Sequence, residues 1–125
     1  MPAFVTAALA GRSPVVHGDG RQTRDFTYVG TVCEVLARAA LHGVRAAEPV
    51  NLAYGGRTSL LELIAELERV TGTALPPEHR PGRPGDVRHS QADDTRLRAL
   101  FPDVEPTPLR DGLERTVRWF RDGRR

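Results

Sequence analysis

All eighteen basic residues of this 125-residue chain are arginines, and it contains no lysine. Its cations are therefore planar, permanently charged forks suited to carboxylate and phosphate oxygens. A reaction that needs a lysine amine, or a Tyr-x-x-x-Lys pair, cannot be run by this chain alone. A GC-rich genome also favours arginine, so the bias by itself is no evidence of function. The single cysteine, Cys33, cannot form an internal disulfide and has no metal-ligand spacing. It falls in an expected helix and reads as a small buried thiol. No pair of histidines has helical metal-site spacing, and His79 and His89 read as surface or loop-tethering groups. Gly18-x-Gly20 lacks a third glycine at the required spacing and follows no long strand–helix unit, so it is not a dinucleotide fingerprint. Arg83 sits among Pro81, Gly82, Pro84 and Gly85, a loop stiffened in one part and open to close backbone approach in another.

The elements that must position these residues follow from periodicity and caps. A short apolar helix is expected over Ala3–Ala10, ending at Gly11. Thr31 and Glu34 have the spacing of a capping box, which starts a second helix to about His42. Val32, Val35, Leu36 and Ala39 share its inward face. Ser59 and Glu62 repeat that grammar for a third helix, with Leu60, Leu63, Ile64, Leu67 and Val70 as its apolar stripe and Gly72 as its stop. A short helix is expected over Asp94–Leu100, capped by Asp93. The last begins at Thr107 with Pro108 at its first position, buries Leu113, Val117 and Phe120, carries Trp119 as a packing residue, and frays from Gly123. Strands are expected at Pro14–His17, before the turn Gly18-Asp19-Gly20, at Asp25–Val29 with Tyr28 packed in it, at Pro49–Tyr54 and near Glu78–Arg80. The Pro49–Tyr54 run is apolar enough to be a strand buried on both faces of a parallel sheet. The chain offers no second strand–helix unit to build that sheet, so this strand must pair with another chain or keep open edges.

The length fits one domain, and the apolar and charged fractions of 39% and 27% are those of a folded chain rather than a disordered one. A net charge of +2 is too small to point to nucleic acid. No apolar run approaches the roughly 20 residues of a membrane span. Met1–Ala10 is apolar without a preceding basic residue and reads poorly as a signal peptide, which leaves a cytoplasmic expectation.

Four segments carry a family resemblance. Gly18-Asp19-Gly20-Arg21-Gln22-Thr23-Arg24-Asp25-Phe26-Thr27-Tyr28-Val29 closely resembles a signature of the extended short-chain dehydrogenases/reductases, nearest the NAD-dependent nucleotide-sugar epimerases, dehydratases and UDP-glucuronate decarboxylases. Asn51-Leu52-Ala53-Tyr54-Gly55-Gly56-Arg57-Thr58-Ser59-Leu60 resembles that family's last sheet strand and the helix after it. Arg83 through Asp93 and the closing helix Gly112–Phe120 complete the set, in the family's order and spacing over nearly the whole chain. The resemblance implies an α/β fold. Residues 1–125 would form the small substrate-binding lobe plus the last Rossmann strand and helix, with the amino-terminal cofactor domain, its glycine-rich turn and its Tyr-x-x-x-Lys helix absent. One departure stands out: the family usually has Asp-Asp after Tyr-Val, where this chain has Gly30-Thr31. Thr31 can still cap the helix, but any role of those aspartates in packing or positioning is lost.

By the same resemblance, Arg24 and Arg83 contact the diphosphate of a UDP sugar, a task for bidentate, always-charged donors. Asp86 would order the loop or touch the ribose, a turn-capping role being the alternative. Val15, Val16 and His17 would line the uracil through backbone groups, although the valines are equally ordinary core residues and His17 an ordinary polar strand end. If Arg24 has no such role, it should pair with Asp25 or Asp19. Three readings follow. The chain is the UDP-sugar-binding portion of an NAD-dependent enzyme, inactive and without bound NAD by itself. Alternatively it is a stand-alone nucleotide-diphosphate-binding module. Or it is an interaction protein that pairs with a partner or with itself through the Pro49–Tyr54 edge.

Overall fold

The computed structural model describes residues 1–123, so the expected fraying beyond Gly123 falls outside the described residues. In chain order the elements are α1 (Pro2–Leu9), β1 (Val15–His17), β2 (Thr23–Arg24), α2 (Val29–Leu41), β3 (Thr58–Ser59), α3 (Leu60–Thr71), β4 (Glu78–Arg80), α4 (Thr95–Leu100) and α5 (Leu109–Asp122). The result is a mixed α/β arrangement with two separate two-stranded pairings: β1 lies parallel to β4, and β2 lies antiparallel to β3.

Helix α3 shows how local sequence makes local structure. The Ser59 hydroxyl accepts the Glu62 amide at 3.2 Å while the Glu62 carboxylate accepts the Ser59 amide at 2.7 Å. This reciprocal cap satisfies donors that a helix start otherwise leaves unpaired. Gly72 ends the helix in the left-handed region at φ 69°, where a residue without Cβ is strain-free. The apolar stripe buries Leu63, Ile64 and Leu67 against Val5 and Ala8 of α1 and Leu113 and Val117 of α5, with Val16 and Leu75 completing the cluster. Glu66 of α3 accepts from Arg110 of α5 at 2.9 Å, so the same helix pair is also joined by charge.

A second, smaller cluster consists of Val35, Leu97 and Val104, with Val50, Leu52, Tyr54 and Phe101 packed on it. It corrects the expectation for Pro49–Tyr54. Among the described residues this segment belongs to no strand. Its side chains do alternate, with residues 50, 52 and 54 on the cluster, but one face is covered rather than two. A ladder needs a partner backbone, and none of the described strands lies beside it.

Other expectations shift for equally local reasons. The run after Arg24 is not a strand: β2 stops at Arg24 and α2 opens at Val29, with Tyr28 as its N-cap. Tyr28 lies on Gly112 of α5, where an added Cβ would come within 3.2 Å of the ring. Thr31 does not cap α2. It is 2% exposed, and its hydroxyl bonds the Thr107 hydroxyl at 2.8 Å. Cys33 is exposed, because Thr31 and Val35 set the buried side of α2 and position 33 lies between them on the other side. Leu36, expected inside, is 58% exposed, and Trp119 is 69% exposed, its ring edge-on to Phe120 at 5.1 Å. Helix α4 opens one residue later than expected, at Thr95, with Asp94 rather than Asp93 at the N-cap position, although the Asp93 carboxylate accepts the Thr95 amide at 2.9 Å, and Pro108 precedes α5 rather than opening it.

The caps predict an acid response. Hydrogen bonding to the Ser59 amide lowers the Glu62 pKa, the Arg110 guanidinium lowers that of Glu66, and Thr95 lowers that of Asp93. Groups whose folded pKa is depressed stabilise the fold above their ordinary values and lose that contribution as pH falls through the folded ones. The urea midpoint should therefore hold from about pH 7 to 5 and fall below the ordinary glutamate value of 4.5. Ser59→Ala should lower stability by about 0.5–2 kcal/mol at neutral pH, measured by the same urea titration, and should flatten part of the acid limb.

Candidate anion-binding site

Strand β1 runs into a tight turn at residues 18–20. Gly18 and Gly20 take positive φ of 82° and 76°, a region that side-chain-bearing residues avoid. Gly20 also has no room: an added Cβ would stand 2.8 Å from the Leu61 side chain and 3.3 Å from Val16. Gly20→Ala should therefore destabilise the chain by about 1–3 kcal/mol through overpacking and backbone strain, read as a fall in thermal midpoint. The turn is held from within as well. Asp19 accepts the Arg21 amide at 2.9 Å, which together with the Arg88 cation lowers its pKa. The Gln22 side chain, 8% exposed, donates to the His17 carbonyl at 2.7 Å. The α3 amides of Leu61 and Leu60 reach the carbonyls of Gly20 and Gln22, fixing the turn to the start of a helix.

Strand β4 delivers the arginine-bearing loop, residues 81–89, to this turn. The Gly18 amide donates to the Arg80 carbonyl at 2.8 Å and the Thr23 amide to the Arg88 carbonyl at 2.9 Å. Side chains close the remaining distance. Arg24 meets Asp86 at 2.7 Å, and Arg83 meets the His17 ring at 3.0 Å. Arg88 meets Asp19 at 3.2 Å, and His89 bonds the Thr23 hydroxyl at 3.0 Å. The amide of Asp86 donates to the Arg83 carbonyl at 3.2 Å, so the two arginine contacts share one short turn.

Arg24, Arg83, Asp86 and His17 therefore lie in one connected cluster. Arg24 pairs with Asp86, not with Asp25 or Asp19. Val16 differs from them. Its side chain is 0% exposed in the main core, so only its backbone could face a ligand. His79 donates to the Gly18 carbonyl at 2.8 Å and, like His89, tethers the loop. Two residues that sequence reasoning passed over hold the surroundings in place. One is Gln22. The other is Asp25, which accepts the Gly55 amide at 2.9 Å while Gln91 donates to the Gly55 carbonyl at 2.7 Å. Their only signal was position, within or beside the segments that carry the arginines. Among the described residues there is no cluster of histidine, cysteine and carboxylate side chains able to hold a metal ion.

The chain is similar to known proteins in sequence and in fold. The sequence model of the NAD dependent epimerase/dehydratase family matches residues 1–53. A UDP-glucose 4-epimerase of Mycolicibacterium smegmatis is 34% identical over 119 residues, covering 95% of this chain and 38% of the relative. A dTDP-4-dehydro-6-deoxy-D-allose reductase of Streptomyces bikiniensis is 37% identical, covering 97% of this chain and 36% of the relative. The crystal structure of the Thermotoga maritima UDP-glucose 4-epimerase with UDP-glucose superposes with a TM-score of 0.85 at 31% identity, over 98% of this chain and 39% of that one. The chain thus spans well under half the length of the relatives it matches. Over nearly all of its length it matches members of the NAD-dependent epimerase/dehydratase family, the extended short-chain dehydrogenases/reductases.

Proposed function

We propose that residues 1–125 are the carboxy-terminal, sugar-nucleotide-binding portion of an NAD-dependent epimerase/dehydratase, in which Arg24 and Arg83 hold the diphosphate of a UDP sugar. The observation that carries this reading is the shared turn. Arg24 reaches Asp86 at 2.7 Å, and the Asp86 amide bonds the carbonyl of Arg83 at 3.2 Å, so two guanidinium-bearing positions 59 residues apart in sequence come to one loop. An anion with two phosphates suits such a pair. The solved relatives crystallised with UDP-glucose and with UDP-glucuronic acid and NAD support the ligand class. Asp86 orders the loop, and the backbone of Val16 and His17 borders the base.

In this reading the nicotinamide cofactor is not held by the glycine turn of this chain. The glycine turn at 18–20 packs Gly20 onto Leu61 and Val16, and the Gly18 amide is already bonded to Arg80, so the turn offers no phosphate cradle. In this reading the chain alone binds a UDP sugar, binds no NAD and turns nothing over, in a cytoplasmic setting. Calorimetric titration with UDP-glucose and with NAD tests it. Heat of binding for the first and none for the second is expected; NAD-dependent conversion of a UDP sugar by this chain would overturn it.

A second reading rests on the residues around Pro49–Tyr54. The backbone there has no strand partner among the described residues, and Leu36, Val50, Leu52 and Phe101 border an apolar recess of about 180 Å³. A strand from a partner chain, or from a second copy, would satisfy the backbone and cover the recess by β-augmentation. Light scattering decides the self-association branch: a monomer at all concentrations excludes it. Among the described residues no helix is long and apolar enough to cross a membrane.

A further inference from the structure

Both ring nitrogens of His17 are engaged, and their partners fix the protonation state. Nδ1 lies 3.1 Å from the Pro81 carbonyl, an acceptor only, so Nδ1 carries the hydrogen. Nε2 lies 3.0 Å from an Arg83 nitrogen. Guanidinium only donates, so Nε2 must offer a lone pair. The two contacts coexist only in the neutral ring with its hydrogen on Nδ1. A protonated ring would set an N–H against an N–H and one cation against another.

We infer that the His17 side chain is a positioning residue for Arg83, a neutral acceptor that holds the guanidinium until a diphosphate takes it, and that ligand binding then draws a proton onto Nε2. This rests on the sugar-nucleotide reading and adds the state of the site before and after binding. When Arg83 turns its N–H groups to phosphate oxygens, Nε2 loses its donor and faces a dianion. An adjacent negative charge favours the charged imidazole, and the proton comes from solvent.

The neighbouring charges leave this step to His17. On β4, Arg80 is paired with Glu78 at 2.9 Å, and His79 is bound to the Gly18 carbonyl at 2.8 Å. At the turn, Asp19 is held by Arg88. On the loop, Asp86 is held by Arg24 at 2.7 Å. The Gln22 amide occupies the His17 carbonyl and leaves the ring alone. Glu78, Asp19 and Asp86 thus each already have an arginine, and the incoming phosphates would be new anionic neighbours of the ring.

The test has a ligand-free arm and a ligand arm, both on the 125-residue chain. In the first, nitrogen-15 resonances of the histidine rings at pH 8 should show His17 with its hydrogen on Nδ1, and Arg83→Ala should move the Nε2 resonance. A ring with its hydrogen on Nε2, or an Nε2 resonance indifferent to Arg83→Ala, overturns the inference. In the second, UDP-glucose is titrated between pH 8 and 5.5, where its esterified phosphates keep a constant charge. Affinity should rise roughly three- to tenfold toward pH 5.5, within the limit of tenfold per pH unit for one linked proton. Heats measured in two buffers of different ionisation enthalpy should report proton uptake, and His17→Phe should abolish both effects. A flat profile in the parent chain overturns the proton linkage. Absence of UDP-glucose binding at every pH overturns the sugar-nucleotide reading and the linkage together, while the ring assignment is decided by the resonances alone.

Discussion

Arg24→Ala is expected to weaken UDP binding by roughly 10- to 100-fold, the range for a lost charge-assisted hydrogen bond of about 1.5–3 kcal/mol. The side chain is only 29% exposed and already aimed, with one nitrogen on the Thr23 carbonyl at 2.9 Å and the other on Asp86 at 2.7 Å. A ligand therefore meets a guanidinium whose rotamer is largely set, which limits the entropy lost on binding. Removing it also releases Asp86, so a companion variant is needed to separate contact from loop order. Asp86→Asn keeps the shape of the side chain and leaves the arginine in place. It should change affinity far less than Arg24→Ala, or increase it by removing a competing carboxylate. Calorimetry with UDP checks both. Unchanged affinity in Arg24→Ala would remove the guanidinium from the binding surface.

Leu67→Ala is expected to lower stability by about 2–5 kcal/mol, the cost of an unfilled space in a packed interior. Leu67 is 1% exposed and lies in the cluster that joins α1, α3 and α5. Against a total stability of about 5–15 kcal/mol for a small domain, that loss is a large share of the whole. Leu36→Ala provides the contrast. At 58% exposure its truncation leaves little cavity and should stay within about 0.5 kcal/mol. Urea unfolding of the two variants compares them directly, and equal effects would mean that the α1–α3–α5 cluster is not the main source of stability.

What could be read from sequence was what neighbouring residues decide. The Ser59–Glu62 cap, the stripe of α3 and the stop at Gly72 depend on positions within a turn or two of each other, and all three appear as expected. Thr31 and Glu34 have the same spacing and do something else, because the Thr31 hydroxyl finds Thr107, 76 positions away, and no local pattern announces that partner. The strand expected at Pro49–Tyr54 failed in the same way: its alternation is present, but a ladder is a property of two segments. Within the site, the residues were legible and their pairings were not. Arg24 and Asp86 were each named, yet their ion pair joins positions 62 apart. Gln22 and Asp25 were missed because each acts on one backbone group, the His17 carbonyl or the Gly55 amide, whose position depends on the finished fold.

The parallel pairing of β1 with β4 also governs when the molecule can take shape. His17 and the carbonyl it binds are 64 positions apart, so a ribosome adding about 5–20 residues per second exposes the first of them roughly 3–13 s before the second exists. Helix α1 waits longer still, since α5, which shares its cluster, is made after β4. The arginine loop can therefore settle only after α3 has been made, and the apolar face of α1 stays uncovered until α5, which shares its cluster, exists.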